Sequence, residues 1–202
     1  MKDDKLNESG IGTRCGWVTD DPLYLSYHDK EWGVPSHEDH HLFEMLILEG
    51  AQAGLSWITV LRKREEYRRS FVAFDPVRVA AFTQRDVERL MANPGIIRNR
   101  AKINAAIGLA SAVLRIQREH GSLAKFLWSF PGNAVLQNKV KDYRKAPTST
   151  GVSDAMSKAL KGYGCKFVGS TILYAFMQAV GMVNDHEIGC PRYKPLSKSS
   201  YK

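Results

Sequence analysis

Residues 153–180 read SDAMSKALKGYGCKFVGSTILYAFMQAV, and this stretch decides the predicted fold. Its two ends have helical composition, and the second end repeats apolar residues at helical spacing. Between them, Gly162–Gly169 contains three glycines, which interrupt a helix and permit a tight turn. The stretch therefore predicts two helices joined by a glycine-rich turn. Such a hairpin is ordinary in helical bundles, but it can also present backbone N–H groups to a phosphate.

Most of the remaining chain also shows helical patterns. One apolar helix face is formed by Leu42, Met45, Leu46 and Glu49, at the spacing i, i+3, i+4, i+7. Further helix starts are predicted by capping residues at Asp75, Thr83, Ser122 and Ser153. Residues 131–150 show no clear period and are predicted to form a loop. Because no convincing alternation of period two is present, we predict an all-α fold.

Composition limits the class of protein. The 202 residues carry a net charge of +8 and are 44% hydrophobic, which excludes a disordered or collagen-like chain. We find neither an apolar run long enough to span a membrane nor a secretory signal. We expect a flexible segment at 1–13, one domain at 14–191 and a basic flexible tail at 192–202. The positive charge is compatible with a polyanionic partner, but a metabolic enzyme could have the same charge.

Several common catalytic motifs are absent from the sequence. There is no phosphate-binding loop of the G-x-x-x-x-G-K-[ST] type, no G-x-G-x-x-G fingerprint, no G-x-S-x-G elbow and no H-E-x-x-H pair. Nucleotide-dependent, serine-hydrolase and metalloprotease chemistry are therefore disfavoured.

Glu49 is the first candidate functional residue. It shares a helix face with apolar side chains, so burial would raise the pKa of its carboxyl group unless a cation or hydrogen-bond donors meet it. Gly50 and Gly54 follow and suggest that the helix ends there. Glu49 either contributes to a pocket or lies at the helix edge and reaches solvent.

Aromatic residues are dense near the N-terminus, and they could either form an aromatic core or stack a planar base. The residues concerned are Trp17, Tyr24, Tyr27, Trp32 and Trp57.

Two Cys and two His residues near the chain ends are possible metal ligands. Cys15 and His28 lie near one end, and His186 and Cys190 lie near the other. This set suits a tetrahedral zinc site, but only if the fold brings the two ends together. His37, His40 and His41 are further candidates, although a polar run before a helix is more often solvated surface. Cys165 is interpreted as a small buried residue of the hairpin.

Longer motifs identify a family. The chain resembles 3-methyladenine DNA glycosylase I, of the all-α helix-hairpin-helix superfamily, over roughly residues 14–191. The resemblance is carried by Arg14–Val18, Tyr27–Asp29, Glu31–Pro35, Leu48–Thr59, Lys166–Gly169 and Asn184–His186.

The resemblance implies an activity and a set of roles. The activity is release of N3-methylated adenine from alkylated double-stranded DNA. Glu49, as the catalytic and base-binding acid, would line the base pocket with Tyr27, Trp57 and Tyr24. Structural zinc would join the chain ends through Cys15, His28, His186 and Cys190. Contacts to DNA would come from Gly54, Leu55, Gly162, Gly164, Lys166 and Gly169.

The chain departs from the wider superfamily at two positions. Thr171 occupies the position of the Schiff-base lysine of bifunctional members, which implies a monofunctional glycosylase that leaves an abasic site. Asp185 lies near the superfamily's aspartate position, but its neighbour His186 is implied as a metal ligand, so we do not assign Asp185 a catalytic role. We expect the protein to be a monomer without membrane association. We also expect a bacterial-type location, in the cytoplasm and at the nucleoid through DNA binding. A non-catalytic helix-hairpin-helix module and a zinc-dependent hydrolase are the alternatives.

Overall fold

The computed structural model describes residues 13–197, and it is almost entirely helical. The α-helices are α1 Pro22–Lys30, α2 Asp39–Gln52, α3 Trp57–Leu61, α4 Arg64–Ser70, α5 Pro76–Ala80, α6 Gln84–Ala92, α7 Arg100–His120, α8 Leu123–Ser129, α9 Gly151–Gly162, α10 Ser170–Ala179 and α11 Tyr193–Ser197. Short 3-10 turns occur at Val72–Phe74 and Tyr143–Lys145. No described helix is long and apolar enough to cross a bilayer.

Helix α2 is the centre of the fold. Ten consecutive residues, from Leu42 to Ala51, are buried, so every face of this part of the helix is covered. A helix that is apolar all round must be enclosed by neighbours, and α2 packs against α3, α7, α8 and α10. Its C-terminal end carries Glu49 into the interior.

The predicted hairpin is confirmed. Helices α9 and α10 pack against each other across the turn 163–169. Gly164 adopts a φ of +83°, a left-handed conformation that favours glycine. The first helix starts earlier than predicted, because Thr150 is the N-cap and Ser153 is the third helical residue of a reciprocal capping box.

The structure also tests the other predicted helix starts and the predicted loop. The capping roles of Asp75, Thr83 and Ser122 are confirmed. The predicted loop 131–150 contains strand β1, Leu136–Gln137, which pairs in parallel with β2, Val183–Asn184, with Leu136 opposite Val183.

The terminal segments were predicted to be flexible. Within the predicted basic tail, Tyr193–Ser197 is helical and Leu196 is buried, so this part differs from the prediction. Residues 198–202, and all of the predicted N-terminal segment except Thr13, lie outside the described residues.

Candidate functional site

A pocket of about 360 Å³ opens beside the C-terminal end of α2. Its size suits a small organic molecule. All four residues that were predicted for a base pocket line it: Glu49 from α2, Tyr24 and Tyr27 from α1, and Trp57 from the start of α3. The residues predicted on the glycine-rich hairpin do not line this pocket.

Glu49 is buried in the wall of this pocket. Glu49 is only 4% exposed, and its Oε2 atom has no hydrogen-bond partner among the described residues. Loss of water without compensating donors raises the pKa of the Glu49 carboxyl group to about 8. An unpaired acid in an apolar wall is well suited to a ligand that brings a positive charge or hydrogen-bond donors.

Aromatic rings line the same pocket as Glu49. The ring centroids of Tyr27 and Trp57 are 5.5 Å apart, and the planes are tilted by 48°. Trp17 packs edge-on against Tyr24 at 5.4 Å and against Trp32 at 4.9 Å. The indole N–H groups of Trp17 and Trp57 are buried without an acceptor among the described residues. Faces of this kind can stack on a planar cation or base.

Part of the pocket lining was not predicted. It includes the segment around Tyr143–Thr148, from the predicted loop, and Gln178 of α10. These residues are distant in sequence from Glu49, and no local pattern marks them.

Asp185 also lines the pocket, and both of its carboxylate oxygens accept hydrogen bonds. Tyr174 Oη donates to Oδ2 at 2.7 Å, Gln178 Nε2 donates to the same oxygen at 2.8 Å, and Asn138 Nδ2 donates to Oδ1 at 2.7 Å. These donors hold the carboxylate in one orientation. Glu49, in contrast, keeps an unpartnered oxygen for a ligand.

The four Cys and His residues near the chain ends meet in one buried cluster. Their potential ligand atoms all lie within 4.8 Å of one another, and this cluster could hold a metal ion. Nδ1 of His186 lies 3.5 Å from Cys15 Sγ and 3.6 Å from Cys190 Sγ, and His28 Nε2 lies 3.5 Å from Cys190 Sγ. His37, His40 and His41 are not part of it.

The second ring nitrogen of each histidine also has a partner. Asp29 Oδ1 lies 2.8 Å from His28 Nδ1, and Arg14 donates three hydrogen bonds to the same carboxylate. The pKa of Asp29 is lowered to about 2, mainly by Arg14. The carbonyl oxygen of Trp32 lies 3.1 Å from His186 Nε2. Outer contacts of this kind fix the ring orientation of metal-binding histidines.

The segment after α2 carries an exposed apolar side chain. Gly54 has a φ of +78°, and the following Leu55 is 40% exposed. Leu55 itself does not line the pocket, but it lies in the short segment between Gln52 and Trp57, which do. The hairpin turn packs against α2, since a β-carbon built on Gly50 would lie 3.4 Å from Phe167.

Glycines in this region face open space. A β-carbon built on Gly54, Gly162, Gly164 or Gly169 would meet no atom within 4 Å. Internal packing therefore does not require glycine at these positions, and they leave room for an external chain to approach closely.

Cys165 is buried, and burial raises the pKa of its thiol to about 11. A thiol in that state is a poor nucleophile at neutral pH. The interpretation as a buried hairpin residue agrees with this environment.

Comparison with known proteins gives a consistent family. Residues 17–193 match the model of the methyladenine glycosylase family. The chain is 56% identical to DNA-3-methyladenine glycosylase 1 of Escherichia coli (strain K12) over 180 residues, which are 89% of this chain and 96% of the relative.

Solved structures agree with the family match. A crystal structure of 3-methyladenine DNA glycosylase I aligns with a TM-score of 0.88 at 55% identity, covering 90% of this chain and all of the other. A variant of a 3-methyladenine DNA glycosylase I, solved in complex with 3-methyladenine, aligns with a TM-score of 0.85 at 38% identity, covering 87% and 94%. The pocket, the helical fold and these matches lead to one conclusion: the chain belongs to the methyladenine glycosylase family.

Proposed function

We propose that this protein is a monofunctional DNA glycosylase that releases 3-methyladenine from alkylated double-stranded DNA and leaves an abasic site. The observation that carries the proposal is the unpaired, buried Glu49 in an aromatic pocket. The similarity to proteins named for this activity supports it.

Methylation at N3 gives adenine a positive charge, which weakens its bond to C1′ of the sugar. When that bond breaks, the base takes the electron pair and leaves as a neutral molecule. Water then adds to C1′ and releases a proton. The leaving base needs no protonation, so the enzyme's task is to extrude it, to recognise it and to stabilise the charge that develops on the sugar.

Recognition is assigned to the pocket. Trp57 and Tyr27 would stack against the cationic ring, an arrangement that favours it over neutral adenine. In the empty pocket the raised pKa keeps Glu49 protonated at neutral pH, and the positive charge of the bound base would favour loss of that proton. The resulting carboxylate would accept a hydrogen bond from the base, and its negative charge would complement the cation. Tyr24 would contribute a further aromatic side chain to the wall of the pocket. Flipping a damaged base costs a few kcal/mol, less than flipping a normal one, so the lesion itself adds selectivity.

DNA contacts are assigned to two neighbouring surfaces. Leu55 would occupy the space left by the extruded nucleotide, since it is apolar, exposed and in the segment between the pocket residues Gln52 and Trp57. The open glycines of the hairpin, with Lys166, would allow the phosphate backbone to approach.

We propose that the metal is zinc. Bonds of about 2.3 Å to sulfur and about 2.0–2.1 Å to nitrogen in a tetrahedron imply sulfur–nitrogen separations of about 3.6 Å. The three separations observed here, 3.5, 3.5 and 3.6 Å, fit this value. Four protein ligands leave no position for water, so the zinc would be structural and would join the chain ends.

Monofunctional chemistry is proposed because Thr171, rather than lysine, follows the hairpin at the start of α10. We propose that the enzyme acts as a monomer on nucleoid DNA in the cytoplasm.

The two alternatives make different predictions. A non-catalytic DNA-binding module would bind DNA without releasing base, and it gives no reason for an unpaired buried acid. A zinc-dependent hydrolase would need an open position on the metal, which the four-residue cluster does not favour.

The test is to incubate the zinc-loaded protein with methylated duplex DNA and to identify the released base by chromatography. We expect 3-methyladenine. Glu49→Gln should strongly reduce release and binding of the free base, whereas DNA binding should persist. DNA binding with no released base would refute the proposal, and unchanged release by Glu49→Gln would refute the role of Glu49.

A further inference from the structure

Lys102 lies in the first turn of α7, but its side chain reaches the end of another helix. Its Nζ donates to the carbonyl oxygen of Ala51 at 2.8 Å and to that of Ala53 at 2.6 Å. These carbonyls belong to the last turn and the C-cap of α2. The ammonium group therefore binds the C-terminal end of the helix that carries Glu49.

The last carbonyls of a helix lack partners within it, and the C-terminus carries a partial negative charge. Between the two acceptors of Lys102, the carbonyl of Gln52 accepts from the backbone N–H of Leu55 at 2.6 Å. Three successive carbonyls at this end are thus satisfied, two of them by one ammonium group. The α2 helix has no basic residue in its own last turn, so Lys102 supplies this charge from outside.

The segment held in this way joins two parts of the proposed machinery. Gln52 and Trp57 line the pocket, and the exposed Leu55 lies between them in the chain. Gly54 has left-handed geometry, so the turn is sharp, and Leu55 is 40% exposed. Lys102 thus ties this short turn to the long helix α7.

We propose that Lys102 is a positioning residue for base extrusion: its ammonium group holds the segment Ala53–Ser56 so that Leu55 is presented to the DNA in a fixed orientation. This inference rests on the proposed function, because it assigns Leu55 to the gap in the duplex. Binding of a base that is already free requires no insertion, so Lys102 should affect extrusion but not affinity for free 3-methyladenine.

Lys63 provides a matched control. It is also half-buried, and its Nζ donates to a backbone carbonyl, that of Pro94, at 2.7 Å. That contact ties down a different turn, which does not line the pocket. Lys63→Met and Lys102→Met therefore remove the same chemical group from comparable surroundings, but only the second releases the Leu55 segment.

The experiment measures kcat and KM for release of 3-methyladenine from methylated duplex DNA. Free-base affinity is measured by quenching of tryptophan fluorescence. For Lys102→Met we expect kcat to fall about tenfold, the size expected for loss of a charged hydrogen bond, with little change in KM or in free-base affinity. Lys102→Arg should recover much of the loss, and Lys63→Met should leave kcat close to that of the parent.

A double-mutant cycle with Leu55→Ala separates positioning from general destabilisation. If Lys102 acts through Leu55, the double variant should be no slower than Leu55→Ala alone. Additive losses, equal losses in Lys63→Met and Lys102→Met, or a matching loss of free-base affinity would overturn the inference. Activity of Leu55→Ala equal to that of the parent would also overturn it. If instead the parent released no 3-methyladenine, the proposed function itself would fail, before any variant was compared.

Discussion

Replacing Glu49 by glutamine should stabilise the folded protein increasingly as the pH rises. The pKa of Glu49 is raised from 4.5 to about 8, because its carboxyl group is buried without a compensating cation. Between these two values the folded protein keeps a proton that the unfolded chain has lost. The folded state therefore binds more protons than the unfolded state, and its stability must fall as the pH rises through this window.

The magnitude follows from the two pKa values. Each unit of difference corresponds to about 1.4 kcal/mol, so burial of Glu49 costs roughly 1 kcal/mol at pH 5 and roughly 4 kcal/mol at pH 8. Glutamine has nearly the same shape and does not ionise, so Glu49→Gln removes this pH-dependent cost. The new amide also loses water, but that penalty is the same at every pH. The slope with pH, rather than the absolute difference, is the informative quantity.

The assay is urea denaturation of the zinc-loaded protein and of Glu49→Gln at several pH values from 5 to 8. The free energies of unfolding are compared only where the m-values agree. Glu88→Gln is the control: Glu88 is exposed, and Arg100 lowers its pKa. The stability contributed by such a group is fully present above its unfolded pKa, so the difference between Glu88→Gln and the parent should stay nearly constant across this range.

A constant difference between Glu49→Gln and the parent across the same range would refute the reasoning. It would mean that the carboxylate is already ionised in the empty pocket and is paired or hydrated there. The expected result, together with loss of base release, would show that the site gives up stability in order to present an unpaired acid to a cationic base.

Three further results are expected. His186→Ala should lower the midpoint of thermal unfolding and remove bound zinc, measured by metal analysis, and refolding without zinc should lower the midpoint of the parent but not that of the variant. Thr150→Ala should destabilise the protein by about 1 kcal/mol in urea denaturation, because it removes the N-cap of α9, while Thr150→Ser should be nearly neutral. Trp57→Ala should weaken binding of free 3-methyladenine, measured by calorimetry. The control is Trp128→Ala, which should affect stability instead, because the Trp128 ring packs on His37 and does not line the pocket. Equal affinity for both variants would contradict the proposed stacking.

Local features were predictable because they depend on neighbouring residues. Asp75 before Pro76 and the pair Thr83 and Asp86 start helices where expected, since a cap needs only a few residues in sequence. Ser153 was misassigned because Thr150 and Ser153 can both cap, and the sequence alone does not show which of them begins the helix.

Long-range pairing was less predictable. Strands β1 and β2 contain two residues each, too few to show a period, and they pair across more than forty residues of chain. The pocket residues between Tyr143 and Thr148 were missed for the same reason, because no local sequence pattern relates them to the distant Glu49.

The sequence by itself determined the helical class, the hairpin, the family resemblance and the candidate site residues, which are the acid, the aromatics and the Cys and His side chains that could hold a metal. These follow from periodicity, from turn residues and from motif order, all of which are properties of the amino-acid sequence. Only the tertiary structure decided that Cys15 and His28 meet His186 and Cys190, that Glu49 lies in a pocket with one oxygen unpaired, and that Lys102 reaches the end of α2. Burial and the distances between remote atoms arise from packing of the whole chain, so no local pattern contains them.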